Sequence, residues 1–159
     1  MEARFPLFEN EITANFIKRL IAVSRPGEES PLSPVTEELV KIRASQINGC
    51  GVCTDMHTKD AAHAGESAVR LNLVAAWREA SVFTEAERAA LAFAEEGTRI
   101  ADAHGGVGDE TWAAVRKHYD DDQIGALITL LAAINAWNRL SVLARTPAGD
   151  YQTGAWTTA

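Results

Sequence analysis

The sequence predicts an all-α fold, a compact helical domain, on three observations. Apolar residues recur at helical spacing along most of the chain. No stretch sustains the apolar–polar alternation of a strand. Residues that start and stop helices fall between the periodic segments.

The elements follow in order. A first helix is expected from Glu11 to Ser24, with Ile12, Phe16, Leu20 and Val23 on one face and Arg25-Pro26-Gly27 as its stop. After a loop to Ser33, Ser33-Pro34 reads as an N-cap followed by proline at the first helical position. Glu37 and Glu38 follow near that start, where the helix dipole favours negative charge. Leu39, Ile42 and Ile47 supply apolar contacts, and Asn48-Gly49 ends the helix because both residues tolerate the left-handed conformation. The next helix starts around Cys50 and runs to Ala64, with Gly65 behind it. A shorter one is expected from Ser67 to Trp77, and another from Thr84 to Ile100, opened by the capping-box pattern Thr84-Glu85-Ala86-Glu87. Gly105-Gly106-Val107-Gly108 reads as a linker and Asp109 as the cap of a helix to about His118. Asp120 or Asp121 caps the last long helix, which ends before Pro147. Residues 1–145 thus form one helical domain, and 146–159 a polar, loosely packed C-terminal tail with Tyr151 and Trp156 as candidate anchors.

The composition is that of one globular domain: 159 residues, 47% hydrophobic and 23% charged. Fifteen Lys and Arg against 22 Asp and Glu leave a net charge of -7. Such a surface repels phosphate backbones and anionic lipid, so neither nucleic acid nor a membrane is an expected partner. The start, Met1 to Asn10, lacks the basic residues followed by an apolar run that mark a signal peptide. The most apolar stretch, Ile124 to Leu143, carries Asn135, Asn138 and Arg139, which lipid would penalise, so it reads as a buried helix. The expected location is cytoplasmic.

The chemistry is expected in Cys50-Gly51-Val52-Cys53-Thr54-Asp55-Met56-His57. On a helix, Cys53 and His57 share a face, and Cys50 lies beside Cys53. The pair sits at a predicted helix N-terminus, where free amides and the dipole stabilise a thiolate. An imidazole one turn on can take the proton, and the second cysteine stands ready to form a disulfide. Two other readings compete. The cysteines can be inert core residues. Cys50, Cys53 and His57, with His63 as a fourth ligand, can also be drawn as a zinc site, ranked lower because no second Cys pair supplies the other knuckle. No bound metal is expected with only one ligand knuckle present, and no nucleotide cofactor, since no Gly-rich phosphate motif follows a strand.

Glu38 is the other candidate. If the turn at Asn48-Gly49 folds the preceding helix back antiparallel, Glu38 comes near the later turns of the cysteine helix, where it could orient His57 or relay a proton. The spacing alone equally fits a solvated first-turn glutamate. His63 reads as a surface residue, His104 as a loop residue and His118 as a helix-end contact. Trp77, Trp112 and Trp137 read as core or interface residues.

The spacing Glu38, Cys50-Gly51-Val52-Cys53, His57 resembles the Glu…Cys-x-x-Cys-x-x-x-His signature of the alkylhydroperoxidase D-like proteins of the carboxymuconolactone decarboxylase superfamily. The flanking stretches Lys41–Gly49, Asp55–Asp60, Phe83–Arg88 and Ile134–Leu140 are similar to that family too, so the likeness spans roughly Thr13 to Arg145. The resemblance implies that 1–145 is a domain of this type, a homo-oligomer (trimer or hexamer) with thiol-dependent peroxidase activity. It implies that Cys53 attacks a small hydroperoxide and becomes a sulfenic acid. Cys50 would donate a proton and close the disulfide, and His57 with Glu38 would form the proton relay. An external dithiol reductant or adaptor protein would reset the pair. One position departs: the best-known peroxidase members carry His before the second cysteine, and this chain has Val52, which cannot carry a proton. The alternatives are a disulfide-exchange or redox-sensing protein with little peroxidase turnover, and an enzyme like the superfamily's decarboxylases, which do not depend on this cysteine pair.

The last helix also bears on assembly. Ile124 to Leu143 is apolar on nearly every face, so it must be surrounded, by its own domain or by neighbouring subunits. Gly125, Ala126, Ala132, Ala133 and Ala136 permit close helix approach. Asn135, Asn138 and Arg139 would need hydrogen-bond partners if buried.

Overall fold

The computed structural model describes residues 2–102 and 105–155. Seven α-helices and one 3-10 helix make up the regular structure, with no strand among the described residues. They are α1 (Glu11–Glu28), α2 (Pro34–Ile47), α3 (Gly51–His63), α4 (Ala68–Leu73), the 3-10 helix Val74–Glu79, α5 (Glu85–Thr98), α6 (Asp109–His118) and α7 (Asp121–Ala144). His104 and Trp156, both singled out in the sequence, lie outside the described residues.

Two apolar clusters organise the helices, and α2 serves both. Val40 and Ala44 of α2 join Phe93 of α5, Val115 of α6, and Leu127, Leu130, Leu131 and Ile134 of α7. Leu39 and Ile42, on another side of α2, join Ala61 of α3, Val74, Trp77, Phe83 and Leu91. A helix held on two sides has little freedom to rotate, and this fixes the direction in which Glu38 points. The long helix α7 is apolar and long enough to cross a membrane by length and composition. Here it packs against α1, α2, α3 and α5, as a core helix does.

Local signals act as expected at two starts. Thr84 and Glu87 form a reciprocal capping box on α5, and Asp120 and Gln123 form one on α7. The asparagines of α7 find partners within the chain: Asn48 Nδ2 donates to Asn135 Oδ1 and Asn138 Oδ1, each at 2.9 Å. Asn138 Nδ2 donates to Ser45 Oγ at 3.0 Å.

Three expectations need correction. First, α1 does not stop at Arg25-Pro26-Gly27 but continues to Glu28. Tertiary contact outweighs the missing proline N–H: Trp137 Nε1 donates to Ser24 Oγ at 3.2 Å, and Gly27 sits so close to α7 that a Cβ there would lie 3.2 Å from the Leu130 nitrogen. The face of α1 that meets α7 carries Ile17, Leu20 and Ser24, which leaves Ile12, Phe16 and Val23 exposed. Second, the segment from Ser67 to Trp77 is not one helix. It tightens to 3-10 geometry at Val74, and Ala76 departs from helical angles. The Arg88 guanidinium takes up the carbonyls of Trp77, Arg78 and Ala80, which therefore need no further helical turn. Third, Gly108 rather than Asp109 is the N-cap of α6. Its N–H donates to Glu96 Oε2 at 2.8 Å, while Thr111 donates to the other oxygen of the same carboxylate. The tail, expected to be loosely packed with Tyr151 as an anchor, leaves most of its described residues exposed and buries Tyr151. After α7 the chain reverses at Arg145, in the left-handed region, and runs back along α3 with Tyr151 buried.

Candidate thiol site

The turn between α2 and α3 places the cysteines. Asn48 closes α2, and Gly49 takes a φ of 66°, a conformation that side chains with a Cβ resist. Cys50 is then the N-cap of α3: its N–H donates back to the Ser45 carbonyl at 2.9 Å, and its own carbonyl accepts from Thr54 N–H at 3.0 Å. Cys53 lies in the first turn of α3, joined to Cys50 by a disulfide across a Cα–Cα distance of 5.4 Å. Both cysteines are buried, at 2% and 4% exposure.

His57 follows one turn later on the same face, and α2 folds back antiparallel to bring Glu38 to it. His57 Nδ1 and Glu38 Oε2 are 3.0 Å apart. An ionised carboxylate only accepts, so the proton of the neutral imidazole sits on Nδ1 and the lone pair is left on Nε2. Lys41, on the next turn of α2, donates to Glu38 Oε1 at 3.1 Å and stands 3.8 Å from Glu37 Oε2. Burial by itself pushes the Glu38 carboxyl up. The hydrogen bonds and charges of His57 and Lys41 outweigh burial and hold it below its ordinary value.

These groups open onto a cavity of about 780 Å³ between α1, α2, α3, α7 and the tail. Its apolar wall includes Ile17 and Ile21 of α1, and Leu130, Ile134 and Trp137 of α7. Its polar end holds Glu37, Glu38, Lys41, His57 and Asp60, with Arg25 nearby. Cys53 lines the cavity together with Val52 and Met56; Cys50 does not.

The tail completes the wall. Gly149 N–H donates to Asp55 Oδ2 at 2.8 Å, and Lys59 Nζ donates to the Gly149 and Tyr151 carbonyls at 2.9 and 3.0 Å. These contacts set the tail along α3, so that Tyr151 and Ala155 line the cavity.

The structure thus brings together all four residues singled out in the sequence: Cys50, Cys53, His57 and Glu38. Lys41, Asp60 and the part Tyr151 plays in the cavity were missed. The spacing of Lys41 three after Glu38 on one helix was a legible sign of an ion pair. Nothing local in the tail pointed to α3. His63 is exposed and lies nearly three turns beyond Cys53 along α3. Among the described residues no cluster of His, Cys, Asp and Glu is arranged to hold a metal.

The fold and the site define an all-helical protein with a disulfide-forming Cys-x-x-Cys pair at a helix start and a Glu–His pair beside it. Residues 14–96 match the model of the carboxymuconolactone decarboxylase family. The chain is 39% identical over 132 residues to the uncharacterized protein YdfG of Bacillus subtilis, spanning 83% of this chain and 88% of that one. It is also similar to the crystal structure of a protein of unknown function from Agrobacterium tumefaciens, suggested to be an antioxidant defence protein, AhpD. There the identity is 34% and the TM-score 0.87, over 94% of this chain and all of the other. The debrominase Bmp8 shares the fold alone, with 15% identity and a TM-score of 0.75 over 86% of this chain and 73% of that one. The chain belongs to the carboxymuconolactone decarboxylase family, as one of its AhpD-like members.

Proposed function

We propose that this protein is a thiol-dependent peroxidase with an antioxidant role. The observation that carries the reading is that Cys53, and not Cys50, lines the cavity, one helical turn from a histidine whose Nδ1 is held by Glu38. In the reduced protein His57 Nε2 takes the Cys53 proton. The thiolate attacks one oxygen of a hydroperoxide, the O–O bond breaks, and the protonated alkoxide leaves as alcohol, or as water when the substrate is hydrogen peroxide. Cys53 is then a sulfenic acid. The Cys50 sulfur attacks it, the S–S bond forms and water leaves with the Cys50 proton. An external dithiol, free or carried by an adaptor protein, reduces the disulfide by two exchanges and is itself oxidised to a disulfide.

Peroxide consumption with a dithiol donor, run beside Cys53→Ser, tests this. Turnover in the wild type that is lost in the variant supports the peroxidase. A wild type without turnover that still exchanges disulfides with the donor favours the second reading, a disulfide-exchange or redox-sensing protein. One observation speaks for that alternative: Val52 puts an apolar side chain on the cavity wall between the cysteines, where an ionisable one could have moved protons.

Assembly into a homo-oligomer, trimer or hexamer, belongs to the same reading. What supports it is the apolar stripe of Ile12, Phe16 and Val23 that α1 leaves exposed, with Leu143 exposed on α7.

A further inference from the structure

We propose that Lys41 is a positioning residue of the thiol site: by holding one oxygen of Glu38, it aims the other at His57 and so sets which nitrogen of His57 acts as the base. The inference rests on the reading of His57 as the proton acceptor for Cys53.

The geometry is a chain of three side chains on two helices. Lys41 Nζ binds Glu38 Oε1 at 3.1 Å, and Glu38 Oε2 meets His57 Nδ1 at 3.0 Å. A carboxylate with one free oxygen rotates about its last bond at little cost. Engaging both oxygens removes that freedom. The chain is also sheltered: the side chains of Lys41, Glu38 and His57 are 11%, 21% and 10% exposed, so water competes weakly for any of them. Lys41 loses rotamer freedom and hydration by lying there, and its recoverable partners are Glu38 and, at 3.8 Å, Glu37.

The other charged and titratable groups around the cavity do not replace it. Arg25 of α1 lines the cavity but has no ion pair with Glu38 among the described residues. On α3, Asp60 is engaged by the Tyr151 hydroxyl of the tail. Glu37, the neighbouring acid on α2, stands 3.8 Å from Lys41 Nζ and is an acceptor, so it cannot donate to the Glu38 carboxylate in place of Lys41. With Lys41 removed, Glu38 keeps the His57 hydrogen bond but loses the adjacent positive charge, in a site where burial favours the neutral acid. A protonated Glu38 can donate to Nδ1, which puts the imidazole proton on Nε2 and leaves no lone pair towards the cavity.

The test compares wild type with Lys41→Met, Lys41→Gln and Lys41→Arg in the reduced protein. Nitrogen NMR of His57 reads the tautomer, and the rate of Cys53 alkylation against pH reads the base. Wild type is expected to hold the proton on Nδ1. Lys41→Met is expected to shift population to the Nε2–H form and to move the acid limb of the alkylation profile upward, slowing alkylation at neutral pH by about tenfold. Lys41→Arg is expected to restore both, and Lys41→Gln, a neutral donor of similar length, serves if the Met variant does not fold. Wild-type tautomer and acid limb in both neutral variants, with only a lower Tm, would show Lys41 to be a structural counter-ion and overturn the proposal. Neither readout requires peroxide turnover. A wild type with no peroxidase activity would sink the peroxidase reading while leaving the role of Lys41 to be decided by His57.

Discussion

Tyr151, near the C-terminal end of the chain, donates its hydroxyl to the carboxylate of Asp60 on α3, 2.9 Å from both oxygens. That single bond ties the outer wall of the thiol cavity to the helix that carries the cysteines. Burial, and then the hydrogen bond to a carboxylate, both push the Tyr151 hydroxyl up, so it stays protonated and remains a donor throughout the working pH range.

Tyr151→Phe is therefore expected to loosen the tail without unfolding the helices. The loss of one hydrogen bond to a charged group costs about 1–2 kcal/mol, seen as a lower Tm. Limited proteolysis should cut after α7 several-fold faster than in the wild type. Unchanged cleavage together with an unchanged Tm would mean that the Lys59 and Asp55 contacts hold the tail by themselves.

The two cysteines should differ in a single-turnover experiment. Reduced Cys50→Ser is expected to consume about one equivalent of peroxide and to stop as a trappable sulfenic acid on Cys53. Cys53→Ser should consume little, because its remaining thiol does not face the cavity. Stronger trapping on Cys50 than on Cys53 would reverse the assignment, and would point to the helix N-cap as the more activating position.

Glu38 links the site to pH-dependent stability. Its folded-state carboxyl titrates below the ordinary value of 4.5: burial opposes this, and His57 and Lys41 prevail. The sign follows: its ionised form stabilises the fold fully above the ordinary value, and that contribution fades as pH falls through the depressed one. Glu38→Gln should cost about 1–3 kcal/mol at neutral pH by denaturant unfolding, with the difference shrinking below the carboxylate range. A difference that is constant with pH would show that packing, not charge, is what Gln fails to supply.

For assembly, light scattering coupled to size exclusion should give a mass that is a multiple of 17.2 kDa. Ile12→Glu combined with Phe16→Glu should reduce it to one chain. Both side chains are exposed in the single chain, at 80% and 51%, so the fold itself should survive by circular dichroism. A wild-type mass of one chain at micromolar concentrations removes the oligomer from the proposal.

Much of the site was legible because it is local. Cys50, Cys53 and His57 lie within about two turns of one helix, so their convergence follows from helical spacing alone. Glu38 was harder. Its approach to His57 depends on the antiparallel turn at Gly49 and on α2 being gripped on two sides, and only the first of these has a sequence signature. The capping boxes at Thr84 and Asp120 could be read directly, since both partners sit within one turn. The errors share a cause: tertiary contacts overrode a local signal. Pro26 and Gly27 look like a stop until Trp137 and Leu130 of α7 are placed against them, and Ser67–Trp77 looks like one helix until Arg88 supplies donors for its carbonyls. Helical spacing grouped Ile12, Phe16, Leu20 and Val23 on one side of α1, yet Leu20 is buried and the other three are exposed, because spacing cannot say whether an apolar face meets its own chain or another.

The tail's contacts reach far back along the sequence: Gly149 and Tyr151 meet Lys59 across separations of 90 and 92 residues, and Asp55 across 94. Contacts of that span close large loops, and the entropy of closure delays them relative to neighbouring helical turns. During synthesis Cys50, Cys53 and His57 emerge well before Tyr151 exists. The cysteine helix can thus form, and its sulfurs can meet oxidants in open water, before the cavity has its outer wall. The wall beside Cys53 is therefore complete only late, when residues 149–155 settle onto α3.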